Sequence, residues 1–446
     1  MFRGLSRGAG CCALLAAMLL SPLARAESLL DAYRLAREND PKFRGAQYDA
    51  RASGTAIDQA RAGFLPSARF DYEQTDTRQR IISSQNPIFG AGVSTFPTNN
   101  QTLSVTQPIF RKDVIERFAQ AKAVVRQADF TLLAAEQDLQ LRTTAAYLAL
   151  LAAADSLALA RAERDSVGKA LDLAREKLRM GLGTITNQHD AAARHAVTQA
   201  REIEAVNKLN DARQALREIT GKLIENVQAL REEFPLQIPE PAVLETWVGT
   251  AFDQNFGLRA KREAVEVARQ EVERQRAGHY PTVDLLLNHN KKDAGSTLFG
   301  GGSNVETTDL TMRLSVPLYS GGLVSAVTQE AAFRFQKSKE DLELERRAVE
   351  RATRAAYEGT LSGVSLVRAL KQSVVSQSSA LEAKDQGYKS GLFTLLPVLD
   401  ATRDLFLARR DYAQARYDYL LNRLKLKQAV GTLSEADLAG INEALQ

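Results

Sequence analysis

One heptapeptide occurs twice at a fixed separation. Leu178-Arg179-Met180-Gly181-Leu182-Gly183-Thr184 recurs as Tyr388-Lys389-Ser390-Gly391-Leu392-Phe393-Thr394, an offset of 210 residues. The same offset pairs Thr143-x-Ala145-Ala146-Tyr147 with Thr353-x-Ala355-Ala356-Tyr357, Asp190-Ala191 with Asp400-Ala401, and Gly221 with Gly431. Upstream, Ala62-Gly63-x-x-Pro66 matches Ala277-Gly278-x-x-Pro281, and Pro108-Ile109-Phe110 matches Pro317-Leu318-Tyr319. Solenoid units repeat at 20–50 residues. A period this long instead marks a duplicated half-molecule.

The N-terminus has the composition of a removable address. Arg3 and Arg7 precede an apolar run from Cys11 to Leu20, and Ala24-Arg25-Ala26 forms an A-x-A cleavage site before Glu27. The run is too short to span a bilayer, so residues 1–26 are expected to be a signal peptide and the mature chain to be exported. Both cysteines, Cys11 and Cys12, fall within it. They precede the cleavage point, so lipid attachment to the mature chain is not expected. Stability then rests on packing and subunit association rather than on disulfides.

The formal charge of +4 comes from 58 basic and 54 acidic residues. Removing Arg3, Arg7 and Arg25 brings it near +1, which argues against a nucleic-acid partner, since such proteins concentrate basic charge. The sequence beyond residue 26 reads as lacking an 18-residue apolar run, so no transmembrane helix is expected. A transmembrane β-barrel stays open, because its signal is alternation rather than bulk hydrophobicity.

No proline lies between Pro108 and Pro235, or between Pro317 and Pro397. Those gaps are filled with Ala, Leu, Arg, Glu, Gln and Lys, all strong helix formers. The pattern predicts helices at about 112–180 and 184–219, and again at about 325–390 and 396–430, interrupted at the glycines. At about 1.5 Å per residue the longest would run roughly 100 Å. Such rods are expected to pack side by side, like coiled coils, with one wet face.

Around Pro66, Pro108, Pro281 and Pro317 the texture changes. Ala68, Phe70 and Tyr72 alternate with Arg69, Asp71 and Glu73; Leu103, Val105 and Ile109 alternate with polar residues. Val283, Leu285 and Leu287 behave likewise, as do Leu310, Met312, Leu314 and Val316. Period two predicts amphipathic strands at about 67–80, 101–109, 282–290 and 307–316. They would form two hairpins joined by long polar loops, Gln79 to Asn100 and Asn290 to Glu306. The pattern alone leaves two readings: small hairpins packed on the helices, or strands with lipid on one face. Four strands cannot close a membrane barrel, whose smallest form has 8, and an open edge in lipid leaves backbone groups unpaired. The membrane reading therefore requires several copies.

The chain resembles the TolC family of bacterial outer-membrane export ducts from about Glu27 to Leu438. The resemblance is carried by Gly181-Leu182-Gly183-Thr184-Ile185-Thr186-Asn187, Leu216-Arg217-Glu218-Ile219-Thr220-Gly221, Val398-Leu399-Asp400-Ala401-Thr402, and Ala415-Arg416-Tyr417-Asp418-Tyr419-Leu420-Leu421-Asn422 running on to Leu433. It implies a membrane β-barrel on a long α-helical barrel, each chain a duplicated half-molecule closed as a homotrimer. The repeats would span 27–235 and 236–432, followed by a C-terminal tail at 433–446. It also implies outer-membrane lipid around the strands, a periplasmic adaptor, and an inner-membrane pump of ABC, RND or MFS type. Cargo would be small toxic compounds or secreted proteins. A competing expectation is a periplasmic coiled-coil adaptor, although such adaptors carry compact β domains beyond two hairpins.

No HExxH or Walker-type loop is present, and neither a cofactor, a metal nor an enzyme activity is expected. His189 and His195 are six apart and do not share a helix face. The resemblance instead implies a pore constriction at the helix-to-helix turns, formed by Asp400, Tyr388, Asn187, Phe393 and Pro397. Three copies of Asp400 would form a ring favouring cations. Well-known members have an acid where this chain has Pro397, an arginine where it has Phe393, and an aspartate where it has Asn187. The expected lock is therefore a Tyr388–Asn187 hydrogen bond with apolar contacts of Phe393, rather than a salt-bridge network. An adaptor is expected to dock on Gly181, Leu182, Gly183 and Thr184 and on Gly391, Leu392 and Thr394.

Overall fold

Long helices alternate with strands in this computed structural model, which describes residues 27–83, 92–296 and 301–445. The expected signal peptide at 1–26 and the loop residues Asn86, Pro87, Gly90 and Gly300 lie outside them. In chain order the elements are α1 (Leu29–Asn39), α2 (Pro41–Gly54), α3 (Ala56–Ala62), β1 (Ser67–Ile81), β2 (Gly92–Phe110), α4 (Lys112–Arg179), α5 (Ile185–Thr220), α6 (Leu244–Gln254) and α7 (Phe256–Arg276). They continue with β3 (Thr282–Ala294), β4 (Ser303–Ser315), α8 (Leu323–Lys389), α9 (Leu395–Val430) and α10 (Glu435–Asn442). α4 and α8 have 68 and 67 residues, and α5 and α9 have 36 each, so the duplication extends to element lengths.

The fold comprises two compact units, one from residues 27–46, 134–255 and 349–445, the other from 47–133 and 256–348. In the second unit the strands form one antiparallel sheet in the order β1-β2-β3-β4. Its register aligns Ala68, Val105, Leu287 and Leu310 in one row across all four strands. Directly opposed residues share a face, so this row and Phe70–Leu103 build an apolar side. The neighbouring rows are polar: Asp71, Thr102, Asn290 and Thr307 align, and Asn290 Nδ2 donates to Asn100 Oδ1 at 2.8 Å and Thr102 Oγ1 at 2.9 Å. Phe70, Tyr72, Met312 and Leu314 are all more than half exposed, whereas Leu285 is partly buried. Both outer strands, β1 and β4, have an unpaired edge among the described residues. Where the sheet meets α4, Arg111 clamps Asp284 through two hydrogen bonds, Nε to Oδ1 at 2.9 Å and Nη2 to Oδ2 at 2.8 Å.

The strands are longer than alternation predicts. β2 begins at Gly92 rather than near 101, β1 ends at Ile81, β3 runs to Ala294, and β4 begins at Ser303. The expected loops shrink accordingly. The added residues are polar on both faces, Ser94, Thr95, Asn99 and Asn100 among them. Backbone pairing such as Gln79 with Ser94 continues where side-chain alternation stops.

The first unit contains the hairpins α4–α5 and α8–α9 and a collar absent from the sequence expectations. The collar consists of α1, α6 and α10 with two isolated bridges, Glu27 with Val227 and Leu230 with Leu445. Two buried tyrosines pin it to the rods. The Tyr147 hydroxyl donates to Glu27 O at 2.9 Å and accepts from Gln228 N–H at 3.0 Å. Tyr419 does the same with Gln237 O and N–H at 2.9 and 2.8 Å. The segment 433–445 is thus not a loose tail: Ser434 and Asp437 form a capping box for α10.

One 18-residue stretch of α4 is long and apolar enough by composition to cross a membrane, contrary to the sequence expectation. The cause is its run of Ala and Leu around 145–160. The same stretch carries Asp155, which accepts a hydrogen bond from the Tyr417 hydroxyl of α9 at 2.7 Å, so it serves helix packing.

Candidate functional site

Both hairpins of the first unit turn in the same way. Leu182 N–H donates to Lys177 O at 2.8 Å and Gly181 N–H to Leu178 O at 3.0 Å; Leu392 N–H donates to Gly387 O at 2.8 Å and Gly391 N–H to Tyr388 O at 3.2 Å. Each is a Schellman motif, which satisfies the last carbonyls of a helix and needs a left-handed residue at its centre. Gly181 has φ 74° and Gly391 φ 81°, a conformation open to glycine at no steric cost. The repeated heptapeptide is therefore the same helix stop used twice.

Entry into the next helix differs. Thr184 caps α5, its hydroxyl accepting from Asn187 N–H at 3.3 Å. Thr394 makes no side-chain cap for α9. The residue that would donate is Pro397, which has no N–H. Leu182 and Leu392 stand 75% and 79% exposed, presenting two apolar tips to solvent.

Behind the turns Val167, Leu171 and Ala174 of α4 pack with Ala191 of α5 and Leu395 and Leu399 of α9. Tyr388 lies on this cluster, and Lys177 Nζ sits 4.3 Å above its ring. Phe393 folds back over Gly387, where any Cβ would collide with the ring. A cleft of about 490 Å³ opens between α4, α8 and α9, lined by Leu173, Leu381, Asp385, Tyr388 and Leu395.

A turn deeper, charges take over. Arg194 Nη2 of α5 lies 2.7 Å from Asp400 Oδ1 of α9. Arg403 reaches the same carboxylate at 3.3 Å and Asp404 at 2.8 Å. Further along, Arg201 pairs with buried Glu163 of α4 at 3.0 Å. Burial lifts the Glu163 carboxyl above its ordinary value, against the opposing pull of Arg201, Arg194 and Arg410.

The structure therefore brings together some expected residues and separates others. Asp400 lies against α5, with Arg194 and Arg403 as partners that sequence reasoning missed. One ion pair, Arg194 with Asp400, joins α5 to α9 within one chain. Its partners are 206 positions apart, and no short-range spacing announces such a pair. Among the described residues Tyr388 and Asn187 make no mutual hydrogen bond within the chain; Asn187 uses its N–H on Thr184. No group of three or more His, Cys, Asp or Glu among the described residues could hold a metal.

A family model described as outer membrane efflux protein matches residues 32–222 and 247–432. The chain is 32% identical over 429 residues to outer membrane protein TolC of Vibrio cholerae, covering 96% of both chains. It is 32% identical over 430 residues to the alkaline protease secretion protein AprF of Pseudomonas aeruginosa, covering 94% of this chain and 88% of that one. Among solved structures, the Campylobacter jejuni outer membrane channel CmeC superposes with a TM-score of 0.80 at 14% identity, covering 95% of this chain and 91% of that one.

Proposed function

The chain belongs to the outer membrane efflux protein family, and from that premise we propose that it is the exit duct of a tripartite export system. It resides in the outer membrane with its long helices in the periplasm. It works with a periplasmic adaptor and an inner-membrane pump, and passively conducts small toxic compounds or secreted proteins outward.

The observation that carries this reading is the four-stranded sheet, apolar along one face and unpaired at both edges. Lipid tolerates no unpaired backbone, so β1 and β4 need partners. Three copies would supply twelve strands and a matching ring of helical rods. In that trimer the turns bearing Asp400, Tyr388, Asn187, Phe393 and Pro397 form the constriction. Adaptor hairpins dock on the exposed tips at Gly181–Thr184 and Gly391–Thr394, beside the cleft next to Tyr388. The duplication makes two similar but unequal docking sites per chain.

Mass measurement of detergent-solubilised protein, with single-channel recording in planar bilayers, tests the reading. Three chains per particle and a low, cation-favouring conductance are expected. A monodisperse monomer without conductance would overturn it.

A further inference from the structure

Where the collar meets the rods of the second repeat there is a cleft of about 350 Å³, lined among others by Ile238, Glu240, Trp247, Arg423, Leu426 and Lys427. Its size is that of a small-molecule site. Segment 237–241 forms one wall, held in place by the two hydrogen bonds between Gln237 and Tyr419. α6 forms another: the Trp247 indole N–H donates to Pro241 O at 2.8 Å, and Trp247 packs on the apolar cluster that contains Leu426. α9 contributes Arg423 and Lys427, four residues apart and so on one helix face.

The charges of this cleft are out of balance. Arg423 is half-buried and makes no hydrogen bond or ion pair among the described residues. Lys427 Nζ comes no closer than 3.7 Å to Asp437 Oδ1, beyond hydrogen-bond length. Glu240, the acid in the wall, is exposed and pairs with neither cation among the described residues. Like charges at this spacing repel, and a charge withdrawn from water is costly unless it is paired. A helix C-terminus attracts cations, but only over its last turn. α9 ends at Val430, so its dipole accounts for Lys427 and not for Arg423.

The duplication shows what was added here. Gly221 lies against Asn39 and Gly431 against Gln254, which aligns α6 with α1 at an offset of 254 − 39 = 215. Trp247 then corresponds to Ala32, which is fully buried. At the offset of 210, Arg423 and Lys427 correspond to Arg213 and Arg217. Both repeats carry the two cations, whereas the aromatic wall belongs to the second alone.

We propose that this cleft binds a small organic anion, a carboxylate carried on a ring or other apolar body. Arg423 and Lys427 hold the carboxylate through charge-assisted hydrogen bonds, and Trp247, Ile238 and Leu426 cover the body. An inorganic anion leaves that apolar wall unused. The bound ligand ties segment 237–241 and α6 to α9 and so fastens the collar to its rods. The inference is independent of the export reading.

Trp247 is the single tryptophan of the chain, so indole fluorescence of the detergent-solubilised protein reports this cleft directly. Cyclohexanecarboxylate should change the emission saturably, while cyclohexanol, which lacks the charge, and inorganic phosphate, which lacks the body, should bind far more weakly. Arg423→Gln should raise the Kd for cyclohexanecarboxylate by about tenfold or more, the worth of one charged hydrogen bond. Lys425→Gln, on the exposed side of the same turn, should leave it unchanged. No saturable change, or an unaltered Kd in Arg423→Gln, would overturn the site; phosphate binding as tightly as cyclohexanecarboxylate would overturn the organic ligand. A ligand that binds only the folded state raises the unfolding temperature. The unsubstituted protein should therefore melt higher with cyclohexanecarboxylate than with cyclohexanol, and an equal midpoint would overturn the proposal even if Arg423→Gln fails to fold.

Discussion

The guanidinium of Arg194 and the carboxylate of Asp400 meet at 2.7 Å, fastening α5 to α9 across 206 positions of chain. The pair places the acid expected at the constriction in a shared ionic cluster with Arg194 and Arg403, rather than as an isolated charge. In the proposed constriction its field would be correspondingly reduced, with the two arginines sharing the electrostatics.

Asp400→Ala should therefore do more than remove a negative charge. It leaves Arg194 and Arg403 without their common carboxylate, so cation selectivity and divalent block in planar bilayers should weaken, with trimer yield unchanged. A double-mutant cycle on Arg194 and Asp400 should give a coupling of about 0.5–1 kcal/mol, the range of partly exposed pairs. Unchanged selectivity would confine Asp400 to fastening the two helices.

The two turns should respond unequally to loss of their threonines. Thr184→Ala removes a real cap and should cost about 1 kcal/mol. Thr394→Ala should cost far less, because Pro397 leaves no N–H for its hydroxyl to accept. Amide exchange at the start of α5 and α9 would read the difference; equal loosening of both ends would show that Thr394 acts in another way.

Bulky residues at Gly181 or Gly391 meet a backbone penalty of roughly 1–2 kcal/mol for left-handed φ, with open space around the missing Cβ. The helices should survive while the tip is reshaped. Export should fail with assembled protein still in the membrane. Full export from both variants would move the docking site elsewhere.

Arginine at Phe70 or Leu314 near the bilayer midplane should cost about 2–4 kcal/mol and lower the yield of heat-modifiable oligomer. Arginine at Ser104, on the polar side of the sheet, should be tolerated. The opposite outcome would invert the face facing lipid.

Acid should loosen α7 in a defined window. Hydrogen bonds from Arg274 hold Glu271 down to about 2, and those from Arg269 do the same for Glu266, against an ordinary value of 4.5. Because the folded values lie below the unfolded one, the stabilisation is complete above about pH 4.5 and is lost as pH falls toward 2. Amide protection of α7 should decline across that interval. In Arg274→Gln with Arg269→Gln protection should be lower at neutral pH and its decline across that interval should flatten; an unchanged profile would mean these pairs contribute nothing.

The duplication, the long helices and the amphipathic strands were legible in the sequence because each rests on local rules. Proline-free runs of good helix formers, paired glycines and period-two alternation are set by residues a few positions apart. The repeated heptapeptide even disclosed a helix stop whose left-handed glycines the structure confirms. What the sequence could not disclose is whatever depends on distant partners. The collar held by Tyr147 and Tyr419, the pairing of β2 with β3, and the Arg194–Asp400 bond all join segments far apart in the chain. Side-chain periodicity says nothing about which remote backbone or charge will lie opposite. The two turns share an almost identical sequence logic, yet only three-dimensional placement decided that Asp400 has an arginine across its seam while Asp190, its mate by repeat, makes no ion pair among the described residues.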